Sequence, residues 1–482
     1  MPDNKFTKIV ATIGPASRSE EIIRGMIEEG VDVFRLNFSH GTVEDHATSV
    51  KLVREVARGQ DRTIALFQDL QGPKIRVGSI NKDSLLLEEG EQFVLTTDSL
   101  TGGIIDGIKK VSIDYPFLHE EARPGERILM DDGLLELKIE KISGKDIITR
   151  VITGGILKSR KGVNLPYIKL NISALTEKDK EDVKFAFDYD LDYVALSFVR
   201  KAEDVKELID LMKKLYGKKI PVIVKIEKPE ALTDIDNIID VADAVMVARG
   251  DLGVETSPQE VPIIQKNIIR KCNIAGKPVI TATQMLESMV NNPRPTRAEA
   301  NDVANAVLDG SDAIMLSAET ATGKYPVESV RMMRDIADQV EKSSVFKSIV
   351  FHNNDELLKN TFNNPEEAVS FAAIELADKI GAKYIVSFTH SGGTARKISK
   401  YRPKIPVIAF SPIQSTVRRL SLVWGVNSIE IGEVNSVDEL LDGAAELLRF
   451  KRLAKEGDYV VITAGVPVGI AGSTNMIKAV KI

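Results

Sequence analysis

The chain has 482 residues, enough for roughly three domains at about 150 residues each. Apolar residues make up 43% and charged residues 28%, the profile of an ordinary soluble protein, and 64 basic against 70 acidic side chains leave a formal net charge of −6. That balance argues against a nucleic-acid partner, which calls for a clustered basic surplus, while local charges remain free to bind small anions.

The single cysteine, Cys272, permits no intrachain disulfide and suits a reducing compartment. No apolar run reaches the ~18 residues of a membrane span. The opening MPDNKFTKIV is too polar for a signal peptide. The expectation is a cytoplasmic protein with no membrane partner.

In chain order, three short β-branched runs come first: KIVATIG (8–14), VDVFRLNF (31–38) and TIALFQD (63–69). About 90 residues of β-like pattern follow, from Gly72 to Lys161, punctuated by turn signals at Asp132-Gly133, Gly144-Lys145 and Gly154-Gly155. Five more runs complete the series: DYVALSFV (192–199), PVIVKIE (221–227), AVMVARG (244–250), PVITATQ (278–284) and AIMLSAE (313–319). Eight strands with helical patterns between most of them predict an α/β fold, a TIM (β/α)₈ barrel. The β stretch then reads as an all-β lid inserted in a rim loop. After a helix at 326–343 and the polar stretch at 351–367, a fresh alternation of helices and strands predicts a C-terminal α/β domain. The expected division is 1–70 and 161–342 for the barrel, 71–160 for the lid and 343–482 for the C-terminal, regulatory domain.

Polar residues gather at the C-terminal end of each run: Arg35, Asn37 and Ser39; Asp69; Ser197; Lys225 and Glu227; Arg249 and Asp251; Thr281 and Thr283; Ser317 and Glu319. Side chains two apart on a strand share a face, and barrel active sites are built on this rim. Glu227 and Asp251, on adjacent strands, suit a hard cation such as magnesium, or manganese in its place. Lys225 beside them favours an anionic substrate. Arg35 and Arg76 offer planar forks for phosphate or carboxylate. Gly250, between Arg249 and Asp251, lets a ligand approach the backbone. Together these predict phosphoryl transfer. An ordinary ion-pair network on the rim is the competing explanation. No GxxxxGK[ST], HRD or DFG string is present, which excludes P-loop enzymes and protein kinases. In the C-terminal domain, Thr389, Ser391, Gly393 and Thr394 lie at a strand-to-helix turn, where a phosphate cradle and a plain helix cap are both possible readings.

Nine strings in order, KIVATIGPAS (8–17), RLNFSHG (35–41), QGPKIR (71–76), SRKGVNLP (159–166), VKIEKPE (224–230), ARGDLGVE (248–255), TATQMLESM (281–289), PTRAEANDVANAV (295–307) and SAETATGKYP (317–326), resemble the pyruvate kinase family. The resemblance implies phosphoryl transfer from phosphoenolpyruvate to ADP, giving pyruvate and ATP. It implies that Glu227 and Asp251 hold magnesium and that Lys225 neutralises the transferring phosphoryl group and the developing enolate. Arg35 would hold the substrate phosphate, and Gly250 and Thr283 its carboxylate. Arg76, Lys161 and the loop Asn37, Phe38, Ser39, His40 would meet the nucleotide. Ser317 and Glu319 would tune proton delivery. Among the monovalent-cation positions, Asn37, Ser39 and Asp69 match potassium-activated members, but Leu70 replaces Thr and Lys74 replaces Glu. A fixed positive charge at Lys74 therefore predicts activity without potassium. The family also suggests a homotetramer and a phosphorylated allosteric effector. The rival readings are a magnesium-dependent oxo-acid aldolase or lyase on the same barrel and a non-catalytic sugar-phosphate regulator.

Overall fold

The computed structural model describes residues 5–166, 168, 170–349, 364–434, 436–467 and 474–482. Most of the polar stretch read as a boundary, its residues 351–363, lies outside the described residues.

Eight parallel strands close into a barrel in sequence order: Lys8–Ile13, Val33–Asn37, Ala65–Asp69, Tyr193–Leu196, Val222–Ile226, Ala244–Ala248, Val279–Ala282 and Ala313–Leu316. They correspond one for one to the eight predicted runs. The strands are short and almost wholly buried, because one face packs on the ring of helices and the other on the barrel interior. Alternation sorts the two faces. Val10, Val33, Phe67, Ala195, Ile223, Met246, Ile280 and Met315 fill the interior, while Ile9, Phe34, Leu36, Leu66, Val224 and Val247 face the helices. Leu422, from the C-terminal domain, joins the interior cluster and plugs the barrel floor.

The inserted segment forms its own seven-stranded sheet with a separate apolar core that includes Phe93, Leu95, Val111, Ile128, Leu137 and Ile147. All three turn signals fall at strand junctions: between Arg127–Met130 and Leu135–Ser143, between the latter and Asp146–Thr153, and between that strand and Gly155–Lys158. The sheet continues past residue 160. Val163–Asn164 pairs antiparallel with Leu129 and Met130, and Leu165 and Ile168 sit in the same core. A boundary at 160 therefore cuts the sheet one strand short; the return strand is too brief to show a period in sequence.

The C-terminal sheet has five strands, ordered Val426–Glu430, Val407–Ser411, Tyr384–Phe388, Tyr459–Gly465 and Thr474–Lys481. The first four are parallel and the last is antiparallel. This domain grips the barrel floor through buried charge. Arg418 Nε donates to Asp192 Oδ1 at 2.7 Å, and the Asp192 carboxylate, fully buried, also accepts from Arg54 and the Leu66 N–H. Among the described residues no helix is long and apolar enough to cross a membrane.

Candidate active site

The inward face of the strands continues upward into charge. One layer above Val33, Phe67, Ala195 and Ile223 stand Arg35, Asp69, Ser197 and Lys225, each two residues further along its strand. They form one hydrogen-bonded ring. Arg35 Nε donates to Asp69 Oδ2 at 2.6 Å, Lys225 Nζ donates to Ser197 Oγ at 2.8 Å, and Lys225 Nζ lies 3.3 Å from Asp69 Oδ1. Asp69 is 1% exposed. Burial alone would raise its carboxyl, but Lys225 and Arg35 outweigh that and hold it below the usual range. Asp69 is thus the clamp that sets two cations side by side, a role the sequence reading did not give it.

Above this ring lies the carboxylate pair. Glu227 is 1% exposed; Lys225 Nζ sits 2.9 Å from its Oε1, and the Phe198 N–H donates to its Oε2 at 2.7 Å. Burial and the nearby Asp251 raise the Glu227 carboxyl, with Lys225 opposing. Burial also opposes the charge on Lys225, yet Asp69 and Glu227 raise its ammonium above the ordinary lysine value. A buried carboxylate raised by a carboxylate neighbour fits a divalent cation between the two. Among the described residues no cluster of three or more His, Cys, Asp or Glu side chains forms a closed cage. Magnesium takes one or two carboxylates and keeps positions for water and substrate oxygens.

Asp251 rides on the short helix Arg249–Glu255, which follows the sixth barrel strand directly. Arg249 does not face the cleft. It is buried behind the site, donating to Asp302 and to the Thr283 and Gln284 carbonyls. Gly250 N–H donates to Thr283 Oγ1 at 2.8 Å, and a Cβ on Gly250 would sit 3.4 Å from that oxygen. That is ordinary contact distance, and the φ of Gly250 is not in the left-handed region. Thr283, Gln284 and Phe198, in contrast, hold φ of 70°, 53° and 55° without being glycine. Such strain collects at sites where geometry is over-determined.

On the opposite side, Asn37 Oδ1 accepts from Ser39 N–H at 3.2 Å, turning the loop that carries Phe38 and His40. Phe38 is buried, stacked on His46, so its contribution is to anchor the loop. Burial lowers the His40 imidazole, and Lys74, Arg35 and Arg76 push it the same way. These three cations therefore share His40's surroundings. Lys161 is tied to Asp131 of the β-domain at 2.7 Å. Leu70 is 1% exposed and adds an apolar wall.

Two expectations change in detail. Glu319 is fully buried and spends both oxygens on backbone, accepting from Leu286 N–H and Ser317 N–H at 3.0 and 2.7 Å. It positions the Ser317 turn and is not itself free to relay a proton. Ser317 Oγ, by contrast, is buried without a hydrogen-bond partner among the described residues. In the C-terminal loop, Thr389 Oγ1 caps Gly392 N–H and Thr394 Oγ1 bonds Thr474 Oγ1, which leaves Ser391 as the exposed hydroxyl near the first turn of helix Gly393–Lys400. Cys272 is buried and its thiol is pushed far up by burial, as expected of an inert side chain.

Comparison with known proteins agrees with this geometry. Residues 4–330 match the family described as "Pyruvate kinase, barrel domain", and residues 367–480 match "Pyruvate kinase, alpha/beta domain". The chain is 45% identical over 474 residues to a pyruvate kinase from Geobacillus stearothermophilus, covering 98% of this chain and 79% of that one. It is 44% identical over 479 residues to a pyruvate kinase from Clostridium perfringens, covering 99% of each. The crystal structure of a pyruvate kinase from Cryptosporidium parvum superposes with a TM-score of 0.92 at 36% identity, covering 99% of this chain and 96% of that one. These matches favour the kinase over the oxo-acid lyase and the non-catalytic regulator. Similarity of this extent, over a rim that sets clamped cations against a carboxylate pair, places the chain in the pyruvate kinase family.

Proposed function

We propose that this site transfers the phosphoryl group of phosphoenolpyruvate to ADP with the following division of labour. Arg35 and Lys225, held side by side by Asp69, receive the substrate phosphate. Glu227 and Asp251 hold magnesium, which when bound supplies positive charge to the substrate's carboxylate and phosphoryl oxygens. Lys225 stays charged and faces the charge that develops as the enolate forms. Thr283 and Gly250 define the edge on which the substrate carboxylate rests. Ser317 Oγ, unpartnered, is the hydroxyl available to a proton path at the enolate carbon. Asn37, Ser39, His40, Arg76 and Lys161 line the nucleotide side. The observation that carries this reading is the Arg35–Asp69–Lys225–Glu227 chain of contacts.

Potassium is not required in this reading. Lys74 forms no ion pair among the described residues and lends its charge to the surroundings of His40 and Arg35, where a monovalent cation would otherwise sit. Manganese substitutes for magnesium. The active species is a cytoplasmic homotetramer, testable by light scattering, and the Ser391 turn receives the phosphate of an effector, testable by thermal shift with sugar phosphates.

The test of the reaction is pyruvate formation from phosphoenolpyruvate and ADP with magnesium, in tetramethylammonium buffer free of potassium. ADP-dependent turnover is expected. Turnover only after potassium is added would refute the Lys74 argument and leave the reaction standing. Pyruvate release that ignores ADP would refute the kinase roles.

A further inference from the structure

We propose that Glu255 is a positioning residue that locks the strand returning from the β-domain onto the helix that holds the metal. The proposal rests on reading Asp251 as a metal ligand. Glu255 ends the helix Arg249–Glu255 and is 1% exposed. Its Oε1 accepts from Asn164 Nδ2 at 2.8 Å and from Lys228 Nζ at 2.7 Å. Asn164 belongs to the strand on which the chain leaves the β-domain, and Lys228 directly follows Glu227. One carboxylate oxygen thus joins three elements: the β-domain, the loop after the fifth barrel strand, and the helix of Asp251.

This arrangement is poorly explained as a device for stability. A buried ion pair is often no better than an apolar pair of equal volume, because both charges lose their water. Here the second oxygen, Glu255 Oε2, is buried with no hydrogen-bond partner among the described residues, which adds an unmet acceptor. The arrangement does explain geometry. Arg249 pins the start of the helix from behind, as described above, and Glu255 pins its end, so Asp251 is held from both sides. The neighbouring Val254 meets the same domain: its Cγ1 is 3.7 Å from where a Cβ on Gly133 would lie, in the turn beside Asp131, the partner of Lys161. A cavity lined by Lys74, Asn164, Phe198, Lys228, Asp251 and Glu255 runs along the seam. Loss of the latch would let the seam widen and Asp251 shift with it.

The test uses the full chain without substrates. Mn²⁺ binding is followed by water-proton relaxation. Separation of the β-domain from the barrel is followed by spin labels at Lys141→Cys and Lys214→Cys, both exposed positions, with the native Cys272 buried. Glu255→Ala is expected to weaken Mn²⁺ binding by about 10- to 100-fold, the usual effect of removing a group that supports a metal ligand, and to broaden the label distance. Asn164→Ala should broaden the distance in the same way, and the double variant should be no worse than Glu255→Ala. Glu255→Gln keeps an acceptor for Asn164 but loses the charge toward Lys228, and should fall between. It carries the test if the alanine variant does not fold. A lowered melting temperature with unchanged Mn²⁺ affinity and unchanged distance would overturn the proposal. Wild-type Mn²⁺ binding by Asp251→Asn would instead refute the metal assignment beneath it.

Discussion

Replacing Lys225 by Met keeps most of the side-chain volume and removes one charge. In the structure that charge meets Glu227 at 2.9 Å, Asp69 at 3.3 Å and Ser197 at 2.8 Å. Asp69 retains Arg35, but Glu227 is left with the Phe198 N–H and the repulsion of Asp251. Stripping one partner from a buried pair costs about 3–5 kcal/mol, so the variant should melt several degrees lower, and magnesium should recover part of the loss. Because Asp69 and Glu227 raise Lys225, the charge is fully present at every pH below its ordinary value of 10.5. Its stabilising contribution is therefore constant across the neutral range and is lost only far into the alkaline range. Glu227, already raised by burial and Asp251, should rise further once Lys225 is gone, so that a proton competes with the metal for its carboxylate. The catalytic loss should be at least about 10²- to 10³-fold, the cost of one preorganised charge at a reacting centre. A coupled assay for pyruvate gives kcat, and a thermal melt with and without magnesium gives the stability. A variant with kcat within tenfold of wild type would refute the role assigned to Lys225.

Lys8, on the barrel floor, gives a pH test. Burial lowers its ammonium to about 8 from the ordinary 10.5, against the pull of Asp32. Below pH 8 folded and unfolded chains both hold the proton and the penalty is fully present. Between pH 8 and 10.5 only the unfolded chain holds it, so unfolding free energy should rise with pH, by an amount on the order of 3 kcal/mol. Denaturant titrations at pH 7.5 and 9.5 should show about 2 kcal/mol of that gain in wild type and not in Lys8→Met; an equal change in both would contradict it. Arg418→Met should cost about 2 kcal/mol by breaking a charged hydrogen bond to Asp192, softened because Arg54 and the Leu66 N–H remain; an unchanged melting temperature would show that the contact contributes nothing. Lys74→Glu should make turnover depend on potassium and should raise the His40 pKa, since Lys74 now helps lower it. An NMR titration of the His40 ring that does not move would count against the charge sharing.

The barrel was legible in the sequence because each strand is short, buried on both faces and followed by chemistry. Period-two alternation alone puts Arg35 above Val33, Asp69 above Phe67, Ser197 above Ala195 and Lys225 above Ile223. The three turns of the β-domain were legible because Gly and Asp at those places report backbone conformation locally; Gly133 and Gly144 hold φ of 85° and 58°. Asp69 as clamp could have been found by following the same inward face one strand further.

Other assignments had no local signal. Arg249 is as polar in sequence as Arg35, yet it turns away from the cleft because Asp302 and two carbonyls wait behind it. Glu319 looks like a catalytic acid until the fold brings Leu286 N–H and Ser317 N–H to its two oxygens. Glu255 meets Asn164 across 91 residues, and Arg418 meets Asp192 across 226. Residue type and spacing determined which groups stand on the rim, since strand alternation is a short-range property. Which of them are free to react and which are consumed as struts was decided only when barrel closure and domain packing brought distant backbone amides and carboxylates within hydrogen-bonding distance.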